Sequence, residues 1–252
     1  MNDHTRAQRR AATPKKACVF CGAQGRLTDE HTFGDWLRKL GYSGAGLREI
    51  GDPPIVQNAG PFSHKLKIVC ANCNNGWMSR LEQDAKPLLV HLFRAHGRLI
   101  PIEEDAQITL ARWAYKTAVV CAYSDKNQVD AFPEEHRREF YETDQPPRQT
   151  WVRIGMMTVP SDPLKGEHLA AYQFDSGVDT VTADEETSID VPWYRTTIRL
   201  INVVFCVMGS VTDEIKMKEQ PDKVFRTMTQ PLWPVRRPTI WWPPIASQPL
   251  QF

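Results

Sequence analysis

Two cysteine pairs, Cys18-Val-Phe-Cys21 and Cys70-Ala-Asn-Cys73, constrain this chain more than any other feature. A CxxC turn aims two sulfurs at one point, and two such turns complete a tetrahedral thiolate site for zinc. Forty-eight residues separate the pairs, and the Gly- and Pro-rich run at 41–63 is expected to absorb that length as a long loop. Four thiolates leave no open coordination position, so the expected zinc is structural. It fastens the chain near residue 20 to the chain near residue 72. The remaining cysteines, Cys121 and Cys206, stand alone in apolar runs and read as small buried hydrophobes.

Such a clip decides which other residues must be neighbours. Glu30 and His31 follow Cys21 by nine and ten residues, and Asn74 directly follows Cys73. A carboxylate and an amide carbonyl, completed by water, suit a hard cation such as Mg²⁺ or Mn²⁺. An unligated histidine beside that cation is placed to take a proton from a water attacking phosphorus. Each residue alone also has an ordinary structural reading, as an ion-paired or capping Glu-His pair and a turn-forming Asn.

In combination, "CVFCG", "DEHTFGDWL" and "VCANCNNGW" resemble the HNH endonucleases, the His-Me finger or ββα-metal group, over roughly residues 18–85. The resemblance implies a DNA-cleaving hydrolase that leaves 5′-phosphate and 3′-hydroxyl ends. In it His31 is the general base, Glu30 and Asn74 hold a catalytic Mg²⁺ or Mn²⁺, and Cys18, Cys21, Cys70 and Cys73 hold the structural zinc. Three positions depart from the family pattern. Glu30 stands where Asp is usual, no bracing Asn precedes Cys70, and Trp77 occupies the place of a common lysine. Arg26, Lys65, Lys67 and Arg80 flank the motif and suit contacts to DNA phosphates. Nothing in the motif encodes base-edge readout, so no strong sequence preference is expected. Asn75 reads as scaffold, Ser79 and Glu82 as a capping box, and His64 as a loop residue near the motif. The competing reading is a zinc-clip protein that binds nucleic acid without cleaving it.

Charge is distributed unevenly around this motif. Residues 1–100 hold 15 Lys and Arg against 8 Asp and Glu, although the whole chain carries only +1. A basic front half points to a polyanionic partner. The sequence offers no run of 18 apolar residues and no apolar signal segment at its start, so a cytoplasmic location with no membrane partner is expected. Oligomeric state is left open, a homodimer included. A role in defence against foreign DNA is the natural context for such a nuclease.

The chain reads as α+β in four parts. Residues 1–16 form a flexible basic arm, 17–100 the zinc-stapled HNH motif, 101–148 a helical segment packed on it, and 149–252 a strand-rich domain. Helices are expected within "FGDWLRKL" (33–40), after Ser79 with a kink or restart at Pro87, over 108–124, and over 133–142. "TTIRLINVVFCVMG" reads as strand. The tail from Pro231 carries six prolines with Trp233, Trp241 and Trp242, and is expected to wrap over the second domain.

Overall fold

Helical periodicity through residue 143 and β-branched texture beyond it produce a mixed α+β fold. The computed structural model describes residues 17–40, 47–49, 55–57, 64–95, 97–124, 132–156, 170–182, 188–210 and 228–244. The arm expected at 1–16 lies outside these residues.

The segment of the first cysteine pair leads into β1 (Leu27–His31) and a 3₁₀ turn (Asp35–Leu40). Short strands β2 (Leu47–Glu49) and β3 (Ile55–Gln57) follow, then β4 (Lys65–Cys70), which pairs antiparallel with β1. From β4 the chain turns directly into α1 (Ala71–Cys73), a π-helical turn (Asn74–Met78) and α2 (Ser79–Phe93). Next come β5 (Ile100–Glu103), α3 (Glu104–Ala122) and α4 (Glu134–Thr143). The remaining strands are β6 (Thr150–Met156), β7 (Ala170–Thr182), β8 (Ser188–Leu200), β9 (Val203–Ser210), β10 (Thr229–Trp233) and β11 (Thr239–Trp242).

Among the described residues the largest sheet has the order β10-β6-β9-β8-β7-β2-β3. Its pairings are antiparallel except where β2 lies parallel to β7. Strand alternation puts Ile154, Phe205, Ile198 and Tyr172 in one cross-strand row, all buried. Helix α3 packs on that face, with the Trp113 ring 5.5 Å from Phe205. Every residue from Trp113 to Ala122 is buried, which is why this stretch is apolar all round rather than striped. The hydrophobic core runs without a break from the first cysteine pair through α2 and α3 to the sheet, on both sides of residue 149.

Two local expectations are corrected. The 41–63 segment is not all loop, because β2 and β3 extend the sheet edge; the rest of it lies outside the described residues. "TTIRLINVVFCVMG" is not one strand but a hairpin, in which Leu200 pairs with Val203 across a two-residue turn. The turn is Ile201-Asn202, and Ile201 takes φ 59 there, a left-handed value strained for a β-branched residue, so the usual Asn-Gly or Asp-Gly signal is missing. Pro87 lies inside α2, and the residue with non-helical angles is Gly76 (φ −93, ψ −111) in the π turn before it.

The tail does more than cover the sheet. Its first part, β10, pairs with β6, whereas β11 pairs with β5 beside the helices. Gln107 on α3 donates to the carbonyls of Ile102 and Arg237, tying the tail to both neighbours. Trp242 is fully buried and donates to the Leu92 carbonyl at the end of α2; Trp241 beside it is 46% exposed. Trp242→Ala should therefore cost about 3–5 kcal/mol in urea denaturation. Trp241→Ala should change stability by only about 0.5 kcal/mol, and equal costs for the two would contradict this packing.

Candidate metal centre and adjoining cleft

The four paired cysteines converge. One ligand atom from each of Cys18, Cys21, Cys70 and Cys73 lies within 4.8 Å of all the others, and the Cys21 and Cys70 sulfurs are 3.6 Å apart. A tetrahedral zinc with bonds of about 2.3 Å asks for sulfurs roughly 3.8 Å apart, so the cluster fits a metal such as zinc. The backbone explains the convergence. Val19 N–H donates to the Ile68 carbonyl, laying the first knuckle against β4, and Gly22 closes that knuckle at φ 67 where a Cβ would strike Arg138. The Cys18 thiol is pulled down to about 4, first by its hydrogen bond from Cys73 and then by backbone groups at Cys70, Cys21 and Phe20, against the effect of burial. The Cys73 thiol is pushed up in turn, first by its hydrogen bond with Cys18 and then by burial, and burial raises Cys21, so a metal that binds the four sulfurs displaces protons.

Helix α4 braces the same knuckle. Arg137 donates to the Val19 carbonyl at 2.7 Å and Arg138 to the Cys21 carbonyl at 2.6 Å. Trp77, standing where the motif leads one to expect lysine, packs edge-on against Phe20 and Phe140 and joins the cluster to the core. Neither arginine was marked by the sequence motif, because the carbonyls they cap carry no side-chain signature.

Beside the cluster a cleft of about 300 Å³ is lined by Glu30 and His31 at the end of β1, by Asn74, Asn75, Met78 and Ser79, by the 3₁₀ segment including Trp36 and Lys39, and by Glu82. The three residues expected to act together, Glu30, His31 and Asn74, thus border one space. A β-bulge between Thr28 and Asp29 interrupts the β1–β4 ladder, and the Asn74 side chain occupies the break. Its Nδ2 donates to Thr28 Oγ1 at 3.0 Å and to the Asp29 carbonyl at 2.9 Å. With the nitrogen tied to β1, Oδ1 is the acceptor atom this side chain has left. Asn75, read as scaffold, also borders the cleft.

Glu82 is not a capping residue. Its Oε1 accepts from Trp113 Nε1 at 2.9 Å and Lys116 Nζ at 2.7 Å, and its Oε2 accepts from Trp36 Nε1 at 2.9 Å. Helix α2 has Met78 at its N-cap, with no side-chain cap, because the helical run already began at α1. Lys116 is completely buried and also pairs with Glu30 at 3.5 Å. Burial pushes the Glu30 carboxyl above its ordinary value, with Lys116 opposing and Glu82 reinforcing the shift. For Glu82 burial acts in the same upward sense, but Lys116 and the two indole donors outweigh it and hold the carboxyl low. Burial would lower Lys116, yet the two carboxylates raise it.

The other expected residues take outer positions. Arg26, Lys65, Lys67 and Arg80 are exposed, and Lys67 lies 3.9 Å from Asp29. Lys65 faces His31 in the β1–β4 register. His64 does not line the cleft; its Nδ1 meets Thr32 Oγ1 at 2.7 Å, and burial lowers its imidazole. Among the described residues no helix is long and apolar enough to cross a membrane. Comparison with known proteins finds no matching family model, curated protein or solved structure.

Two measurements probe this geometry. Protein purified under reducing conditions should contain one zinc per chain by elemental analysis, and both a strong chelator and Cys73→Ser should lower its thermal midpoint. Unchanged stability after complete metal removal would count against a structural clip. Because Glu82 is held low, its charge contributes stability that is present above about pH 4.3 and lost as the pH falls through the folded value. Glu82→Gln should cost about 3 kcal/mol at pH 7, the low end for a broken buried pair because Glu30 still faces Lys116. That deficit should narrow in denaturation curves taken below pH 4.

Proposed function

We propose that this chain is a metal-dependent endonuclease of the HNH type, hydrolysing phosphodiester bonds in DNA. One observation carries the reading: a four-cysteine cluster draws β1 against the start of a helical run, and Glu30, His31 and Asn74 border the adjoining cleft. The β1–β4 pair followed by α1 and α2 agrees with a ββα arrangement. Zinc is the metal assigned to the cluster.

Glu30 and Asn74 Oδ1 would hold Mg²⁺ or Mn²⁺ in the cleft. That ion supplies, when bound, Lewis-acid contact to the scissile phosphate and charge stabilisation for the leaving 3′ oxygen. The chain's own residues do the rest. His31, as neutral imidazole, accepts a proton from the attacking water, and the products keep a 5′-phosphate and a 3′-hydroxyl. Asn74, braced at the β1 bulge on the Thr28 hydroxyl and the Asp29 carbonyl, keeps its ligand atom in place. Arg26, Lys65, Lys67 and Arg80 supply exposed positive charge along the same region for the phosphate backbone. Their contacts carry no sequence information, so cleavage should show little sequence preference.

A second reading has one observation in its favour. Glu30 is only 7% exposed and faces Lys116, which is what a structural carboxylate in a non-catalytic nucleic-acid-binding module would do. Cleavage of supercoiled plasmid and single-stranded DNA separates the two. The nuclease nicks or linearises DNA with Mg²⁺ or Mn²⁺, is silent in EDTA, and loses about 10²–10⁴-fold in rate with His31→Ala. Folded, zinc-loaded protein that binds DNA but cleaves none of it, or a His31→Ala loss below about tenfold, supports the binding module instead.

A further inference from the structure

Two glutamates from different elements border the cleft, yet their surroundings differ sharply. Glu82 is saturated: two indole N–H groups and an ammonium reach its two oxygens at 2.7–2.9 Å. Glu30 has a single longer contact, Oε1 to the same ammonium at 3.5 Å. The shared partner, Lys116, is buried along its whole length within the all-round apolar part of α3. A lysine is seldom placed there unless its charge has a fixed task.

We propose that Lys116 is a positioning residue for the divalent-ion site, holding Glu82 out of the coordination sphere and leaving Glu30 as its one carboxylate ligand. The inference rests on the nuclease reading above. A hard cation recruits any carboxylate oxygen within reach. Without the ammonium, Glu82 is a second anion on the wall of the same cleft, held against Glu30 only by two neutral indole N–H groups. With it, the three groups carry one net negative charge, and a bound divalent ion keeps positive charge to offer a phosphate. Two ligating carboxylates would cancel that charge. Trp113 and Trp36 strengthen the arrangement by filling both Glu82 oxygens from α3 and from the 3₁₀ segment. Asp35 and Lys39, the other charged residues bordering the cleft, both lie on that 3₁₀ segment.

The test is calorimetric titration of Mn²⁺ into the full-length, zinc-loaded protein, a readout independent of cleavage. Wild type should bind one Mn²⁺ beyond the zinc, and Glu30→Gln should weaken it about tenfold or more. Lys116→Met should tighten binding about tenfold, because Glu82 is then released to the ion. Lys116→Met with Glu82→Gln, which removes one charge of each sign, should return to the wild-type affinity. Unchanged or weaker binding in Lys116→Met, or tight binding that persists in the double variant, overturns the inference. Should Lys116→Met fail to fold, the charge-balanced double variant decides: wild-type affinity supports the inference, and a loss of about tenfold makes Glu82 a ligand and refutes it. Failure of wild type to bind Mn²⁺, or indifference to Glu30→Gln, strikes the nuclease reading itself.

Discussion

Convergence of four thiols is the constraint on which the rest of the site depends. It joins chain segments some fifty residues apart, at a place where the connecting sequence is rich in glycine and proline and has little power to hold them. Once the two knuckles meet, β1 lies against β4, and the residue directly after Cys73 must enter the β1 bulge. The position of Asn74 is thus a consequence of the cysteine cluster. The clip in turn leans on the protein: α4 arginines hold the first knuckle by its carbonyls, and Trp77, Phe20 and Phe140 pack beneath it.

A second, electrostatic layer ties the cleft to the sheet. Trp113 packs its ring on Phe205 of the sheet and donates its N–H to Glu82 at the cleft, so one side chain belongs to both. One helical turn further along α3, Lys116 meets both glutamates. The strand-rich half of the chain is therefore part of what positions the cleft. Its sheet presents the apolar row on which α3 rests, and α3 delivers the buried cation. In a site of low dielectric these charges are effective only because each has a partner at hydrogen-bonding distance.

What could be read from the sequence was local or metal-encoded. CxxC spacing marks its own partners, the Glu-His step and the Asn after Cys73 follow from the clip, α3 shows as an apolar run, and α4 by its proline and acidic first turn. The α+β class follows from the change of texture near residue 149. Long-range polar partnerships left no such trace. Lys116 sits in "ARWAYKTAVV", where an isolated lysine reads as an interruption of an apolar helix, and its partners lie 34 and 86 residues away. Ser79 and Glu82 match a capping box in pattern, but the helical run starts eight residues before Ser79, which leaves no helix end to cap. The hairpin at Ile201 escaped because its turn uses a residue that turn chemistry disfavours. In each case tertiary contacts overrode a local signal.

The central claim is that one fold element holds two different metals, one for structure and one for chemistry. Anomalous diffraction from crystals soaked in Mn²⁺, recorded at the zinc and manganese edges, tests it most directly. The account predicts a zinc peak at the centre of the four sulfurs and a manganese peak in the cleft, about 2.1 Å from a Glu30 oxygen and from Asn74 Oδ1. Manganese bound elsewhere, or a cleft that stays empty at saturating Mn²⁺, would contradict it.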